Sequence, residues 1–90
     1  MINIDDLIKE KVAINCKSFE ETEILIEIFS NHALMILRNA NFYWSRYRDK
    51  ICFDIETGMI EYCNYGYYEE HEWLIISFEE FMGGYNYDEH

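Results

Sequence analysis

The chain has 90 residues, a formal net charge of −11 and a composition in which half of the residues are hydrophobic. This length and hydrophobic content are typical of one small folded domain rather than a disordered chain, and no run of about 18 apolar residues indicates a membrane-spanning helix. The negative charge also disfavours direct binding to nucleic acid, because phosphate groups repel an acidic protein.

The first predicted elements are a short helix over residues 3–9, a strand at Val12–Cys16 and a longer helix from Phe19 to about Asn31. Ser18 is the predicted N-cap of the longer helix, and Glu21 completes a capping box with it. The apolar residues of this helix fall on one stripe, which predicts its buried face. The residues of the stripe are Ile24, Leu25, Ile28 and Phe29.

A β-hairpin is predicted from Ile51–Ile55 and Ile60–Tyr62. Pairing Ile55 with Ile60 puts Phe53 opposite Tyr62 and collects the apolar side chains on one face. We expect Phe53 and Tyr62 to be buried partners. The same register puts Cys52, Asp54, Glu61 and Cys63 on the opposite, more exposed face. A slip of one residue would mix the two sets, so this register is preferred.

The last predicted elements repeat the order of strand, cap and helix. Trp73–Ile76 is apolar throughout, as expected for a central strand, and Ser77 with Glu80 forms a second capping box. Gly83–Gly84 ends the final helix. Residues 41–44 are a weaker candidate for a further strand.

These elements predict an α+β fold with the order β-α-β-β-β-α, in which a small antiparallel sheet packs on one main helix. We expect a single domain over residues 1–90, with residues 85–90 as a frayed tail.

Cysteine usage and the N-terminus indicate a reducing compartment. Cys16, Cys52 and Cys63 are an odd number without CxxC spacing, so we expect free thiols rather than a disulfide scaffold. The first residues lack a signal-peptide pattern. We therefore expect a cytoplasmic protein.

Motifs for catalysis or metal binding are weak. Cys52, Cys63, Asp54 and Glu61 share a face of the hairpin, but zinc sites show clustered ligand spacing that does not occur here. His71 lies among glutamates that favour its charged form over a free base. We expect no enzyme activity, no cofactor and no metal.

The strongest functional signal is the distribution of charge. Residues 51–90 hold ten Asp/Glu and no Lys or Arg, together with six of the eight tyrosines. Charge of one sign destabilises a small domain by self-repulsion, which indicates a functional cause for it. Carboxylates attract basic partners, and Tyr is a favoured interface anchor. The predicted partner-binding residues are Asp54, Glu56, Glu61, Tyr65, Tyr67, Tyr68, Glu69, Glu70 and Glu72.

A second cluster is basic and aromatic. Arg38, Arg46 and Arg48 are interleaved with aromatic residues between positions 42 and 47. One interpretation is internal charge balance with the acidic segment, and the other is recognition of a small anionic ligand in a local positive pocket.

Two segments carry a resemblance to a known group of proteins. The stretch VAINCKSFEE, residues 12–21, resembles the opening of small phage and prophage accessory proteins, and WLIISFEEF, residues 73–81, is similar to their ending. Proteins of this kind include inhibitors of host defence, among them anti-CRISPR proteins. Some of these inhibitors present carboxylates where a nuclease expects phosphates. The resemblance implies a bacterial host cytoplasm and supplies no catalytic residue.

The sequence therefore predicts a non-enzymatic acidic inhibitor that binds a basic, nucleic-acid-binding surface of a bacterial defence protein, such as a CRISPR effector or another defence nuclease. The first alternative is a protein that binds or sequesters a small anionic ligand through the three arginines. The second alternative is an acidic structural or assembly subunit of a phage. A homo-oligomer is compatible with each of these functions.

Overall fold

The structure is a computed structural model that describes Leu7 and residues 10–31, 37–56 and 59–84. In chain order its elements are β1 (Val12–Asn15), α1 (Phe19–Ser30), α2 (Ala40–Tyr47), a 3-10 turn (Arg48–Lys50), β2 (Ile51–Glu56), β3 (Met59–Asn64), α3 (Tyr65–Glu70), β4 (Leu74–Ser77) and α4 (Phe78–Gly84). The predicted α+β class is confirmed. The predicted tail at 85–90 lies outside the described residues, as does the predicted helix at 3–9 apart from Leu7. No helix in the described ranges is long and apolar enough to cross a membrane.

The four strands form one sheet in the order β3-β2-β1-β4. The pairs β1–β2 and β2–β3 are antiparallel, but β1 and β4 are parallel, from Val12 opposite Leu74 to Asn15 opposite Ser77. The sheet is therefore mixed, whereas the sequence predicted a sheet that is antiparallel throughout. β1 with α1 and β4 with α4 are the two segments in which a strand is followed by a helix with a serine N-cap. Their strands are the two that pair in parallel.

The prediction that the last apolar run forms a central strand is wrong. Among the described strands, β4 lies at the edge of the sheet and pairs with β1 alone, and Leu74 remains 60% exposed. β4 is apolar for a different reason than a central position in the sheet, because side chains on both of its faces pack inside the protein. Ile76 contributes to the main core, whereas Ile75 packs on the opposite side of the sheet.

The predicted hairpin register is confirmed. Ile55 lies opposite Ile60, Phe53 opposite Tyr62, and Asp54 opposite Glu61. Phe53 is fully buried, but Tyr62 keeps 36% of its surface exposed because β3 forms the other edge of the sheet. The expected burial is therefore confirmed for Phe53 only.

In the described part of the chain, the main core lies between one face of the sheet and the helices α1, α2 and α4. α1 contributes Leu25, Ile28 and Phe29, and the Phe29 ring meets Phe81 of α4 edge to face with centroids 6.4 Å apart. Ile24, which was predicted to be buried, is 39% exposed. Thr22, Leu25 and Phe29 are fully buried at the spacing of one helix face, and this stripe leaves Ile24 turned away from the sheet.

Both predicted N-caps are present, with one difference. At α4, Glu80 donates its N–H to Ser77 Oγ and accepts the Ser77 N–H, each at 3.0 Å, so this capping box is complete. At α1, Ser18 Oγ accepts the Glu21 N–H at 3.1 Å, but Glu21 Oε1 accepts the N–H of Lys17 instead of Ser18. Glu21 therefore fixes the backbone of Lys17, the residue before the N-cap.

Residues 41–44, the weaker strand candidate, belong to α2. Asn39 caps this helix by accepting the Phe42 N–H through Oδ1 at 3.2 Å. Tyr43 is buried between helix and sheet, where its ring centroid lies 5.1 Å from Phe53 and 4.8 Å from Tyr62. The aromatic residues have high strand propensity, but the cap and this packing override it.

Candidate partner-binding surface

The second face of the sheet is covered by α3, a helix in the acidic segment for which the sequence analysis predicted no element. Asn64 begins this helix by accepting the Tyr67 N–H through Oδ1 at 2.8 Å. Tyr68 then packs against Ala13 and Cys52 of the sheet and forms a small second core. The residues partly buried around this core are Cys63, Tyr65, Trp73 and Ile75. Helices therefore pack on both faces of the sheet.

Asp54 and Tyr68 do not lie on the surface, so their assignment as partner-binding residues is wrong. Both are only 1% exposed, and the Tyr68 hydroxyl donates a hydrogen bond to Asp54 Oδ1. The cause is α3, which folds over the face of the hairpin that was expected to be open. Burial raises the pKa of Tyr68 above its usual range, and the hydrogen bond to Asp54 raises it further. The hydrogen bond between Tyr68 and Asp54 links α3 to β2.

The end of α3 has the hydrogen bonds of a Schellman motif. Glu72 donates its N–H to the carbonyl of Glu69 at 3.1 Å, and Trp73 donates its N–H to the carbonyl of Tyr68 at 3.0 Å. The Trp73 and Tyr68 rings meet with centroids 5.4 Å apart, which supplies the apolar contact usual in this motif. Glu72 occupies the left-handed position, with φ of 62°, where glycine is the favoured residue.

Four of the predicted glutamates are exposed around α3. Glu61 lies on β3, Glu69 and Glu70 lie on α3, and Glu72 lies in the turn that follows. Tyr67 is 42% exposed among them. We call these five residues the acidic surface. Glu56 lies in β2, and its side chain is outside the described part of the structure.

Two contacts give this surface further order. The Tyr67 ring stacks on His71 with centroids 4.2 Å apart and planes tilted by 33°, and His71 Nδ1 donates to the Tyr67 carbonyl at 2.8 Å. Tyr65 is only half-buried, and the Lys50 ammonium lies 5.8 Å from its ring centroid. Tyr65 therefore lies at the border of the acidic surface, next to a basic residue.

The sequence reasoning missed Met59, which is 57% exposed at the start of β3. The hairpin register contained the signal, because alternate residues put Met59 on the same face as Glu61 and Cys63. A cavity of about 450 Å³ runs along this strand, lined by Met59, Ile60, Glu61, Tyr62, Cys63, Tyr67 and Tyr68. The acidic surface thus adjoins an apolar groove.

Of the three arginines of the alternative site, two lie on the same aromatic ring and the third does not. The guanidinium carbons of Arg38 and Arg46 lie 4.8 and 4.9 Å from the centroid of the Phe42 ring. Arg48 lies beyond the C-terminal end of α2, in the 3-10 turn, with φ of 51°. A cavity of about 620 Å³ is lined by Arg38, Asn39, Asn41, Phe42 and Ser45.

The thiols are free, and Cys52 lies opposite Cys63 across the hairpin. Burial raises the pKa of the Cys52 thiol to about 12, so it stays protonated at neutral pH. Within the ranges that the structure describes, no group of three or more His, Cys, Asp or Glu side chains is placed to hold a metal ion.

Comparison of the chain with protein-family models, with curated proteins and with solved structures gave no match.

Proposed function

We propose that this chain is a non-enzymatic inhibitor whose acidic surface binds a basic, nucleic-acid-binding surface of a bacterial defence protein. Glu61, Glu69, Glu70 and Glu72 take the place of phosphate groups. Carboxylates, like phosphates, accept charge-assisted hydrogen bonds from Arg and Lys. A partner surface that is built to hold a nucleic-acid backbone would therefore accept this cluster of carboxylates.

The observation that carries the proposal is the residue at the end of α3. A left-handed backbone costs a non-glycine residue about 1–2 kcal/mol, and Glu72 occupies such a position in a motif that favours glycine. Glutamate at this position contributes a fourth exposed carboxylate at the expense of stability. Lys11 and Arg48 also have positive φ, so the position of Glu72 supports the proposal through the carboxylate that it adds to the acidic surface and not through strain alone.

The rigidity of α3 supports the same function. Six residues are too few for a stable isolated helix. Here Asn64 caps the start, the Schellman motif closes the end, and Tyr68 is fastened to Asp54 beneath. Glu69 and Glu70 are thus held on a fixed backbone before a partner arrives, which lowers the ordering entropy lost on binding.

The apolar groove gives the surface a means of specificity beyond charge. Rim charges mainly steer association, whereas buried aromatic and apolar contacts dominate affinity. Tyr67 and Met59 are exposed next to Glu61 and adjoin the 450 Å³ groove. We assign them the role of anchors, with the glutamates arranged around them.

The class of partner is proposed from two features together. The net charge of −11 favours a basic partner and steers it from a distance. The resemblance of residues 12–21 and 73–81 to phage accessory proteins favours a partner in bacterial defence.

The test is affinity capture from a nucleic-acid-depleted bacterial lysate at low salt, with elution by duplex DNA. We expect the eluate to contain nucleic-acid-binding proteins, because DNA and the acidic surface compete for the same basic site. Recovery of only proteins that DNA does not displace would contradict the proposal. Recovery of only further copies of the chain would support the assembly role instead.

A further inference from the structure

We propose that the cavity beside Phe42 is a second binding site, which takes a small phosphate ester. It lies on α2 and in the residues before it, and shares no residue with the acidic surface. This inference does not rest on the inhibitor function. Either site can be present without the other.

Two arginines converge on one aromatic ring at this position. Arg38, Phe42 and Arg46 follow one another at intervals of four residues, and both guanidinium carbons lie within 5 Å of the ring centroid. Stacking on an aromatic ring orients a guanidinium while its N–H groups stay available to an anion. Both side chains are exposed, so a ligand in solution can reach them.

The charge environment makes this cluster unusual within the molecule. The chain has only seven basic residues against eighteen acidic ones. Among the residues that the structure describes, both guanidinium groups lie on the Phe42 ring, and neither forms an ion pair with a carboxylate. The interpretation of Arg38 and Arg46 as partners that balance the acidic segment therefore lacks support in these ranges.

The remaining lining residues supply neutral hydrogen-bonding groups. Asn39 uses its Oδ1 to cap α2, which leaves its amide NH₂ as a donor. Asn41 and Ser45 also line the cavity. Of the two arginines, Arg38 lines the cavity, whereas Arg46 lies at its border on the Phe42 ring. Guanidinium donors with neutral amide donors beside them are the chemistry that recognises a phosphoryl group.

The size of the cavity favours an ester over a bare anion. The cavity is open to solvent, and its volume of about 620 Å³ exceeds what a single phosphate fills, so a group attached to the phosphate has room beside it. Asn41 and Ser45, which are exposed, can contact an attached sugar or similar polar group.

The test is an NMR titration of the whole chain with ribose 5-phosphate at low salt, with ribose and inorganic phosphate as comparison ligands. We expect saturable shifts of the amides from Asn39 to Arg46 with ribose 5-phosphate, weaker binding of phosphate, and no shifts with ribose. Arg38→Gln and Arg46→Gln should each weaken binding about tenfold or more, since each removes a charged hydrogen-bond donor.

Arg48→Gln is the matched control, because it removes the same charge from a residue that neither lines the cavity nor lies on the Phe42 ring, and it should change the affinity less than about twofold. Shifts that do not saturate with ribose 5-phosphate would overturn the proposal. Equal weakening by Arg48→Gln would also overturn it, since the attraction would then be unspecific. Phosphate that binds as tightly as the ester would refute the assignment of ligand class.

Discussion

At the scale of single residues, the molecule depends on a buried polar pair that the sequence pattern did not reveal. Alternation along β2 correctly placed Asp54 on the opposite face from Phe53, but alternation alone does not say whether a face is covered. Tyr68 covers Asp54 and donates its hydroxyl to it. A buried donor and acceptor in this position stabilise the fold only while they are paired.

Tyr68→Phe is therefore expected to lower the free energy of unfolding by about 1–3 kcal/mol, because it removes a hydrogen bond to a buried carboxylate. Tyr67→Phe is the control, since the adjacent Tyr67 is 42% exposed. Its effect should be below about 0.5 kcal/mol. Urea unfolding followed by circular dichroism measures both variants. Equal stability of the Tyr68 variant and the wild type would contradict the assigned role.

The same residue gives a prediction for alkaline pH. Burial raises the pKa of Tyr68 above 10.0 and that of Cys52 from 9.0 to about 12, so the folded state keeps protons that the unfolded state releases. This stabilisation is complete below about pH 9 and is lost as the pH rises, by up to about 1.4 kcal/mol per pH unit for each group.

Urea titrations in reductant between pH 8 and 10.5 measure this loss. Tyr68→Phe should make the decline of stability above pH 10 less steep, because one of the titrating groups is gone. A stability that does not change over this range would show that neither group is protected from ionisation.

The buried aromatic at the centre of the hairpin provides a test of the register. Phe53 is fully buried and packs on Tyr43 with ring centroids 5.1 Å apart. Phe53→Ala should lower the free energy of unfolding by about 3–5 kcal/mol, because it removes a large buried ring. A loss below about 1 kcal/mol, measured by the same urea titrations, would refute this placement.

At the scale of elements, the parts with strong local signals were predictable. The helix from Phe19 had a cap and an apolar stripe, and only one pairing separated the apolar and polar faces of the hairpin. α3 was missed because a helix of six residues has less than two turns in which to show periodicity. The parallel pairing of β1 and β4 was missed because strand order depends on contacts distant in sequence.

The end of α3 yields a prediction in which stability and function move in opposite directions. Glu72→Gly should raise the free energy of unfolding by about 1 kcal/mol, because glycine adopts φ of 62° without strain. Its affinity for the partner should fall, since a carboxylate of the acidic surface is lost. Glu69→Gly, inside α3, is the control and should lower stability by about 1 kcal/mol. A destabilised Glu72 variant would contradict the assigned strain.

At the scale of the whole molecule, a small sheet that is covered on both faces carries a strongly one-sided charge. Helices on both faces supply the apolar burial, and α3 presents the glutamates around Tyr67. The sequence indicated the acidic segment and the four glutamates of the acidic surface, but the burial of Asp54 and Tyr68 depended on where α3 packs. Removal of surface carboxylates should therefore leave the fold intact while it changes association.

The most direct test compares association rates with the captured partner for three forms of the chain: the wild type, Glu69→Lys with Glu70→Lys, and Arg46→Ala with Arg48→Ala. The glutamate pair should keep its fold by circular dichroism, bind much more slowly and show a flatter dependence on salt, because the steering charges are reversed. The arginine pair should associate about as fast as the wild type. If the arginine pair abolishes binding and the glutamate pair does not, the acidic surface is not the binding site and the account is wrong.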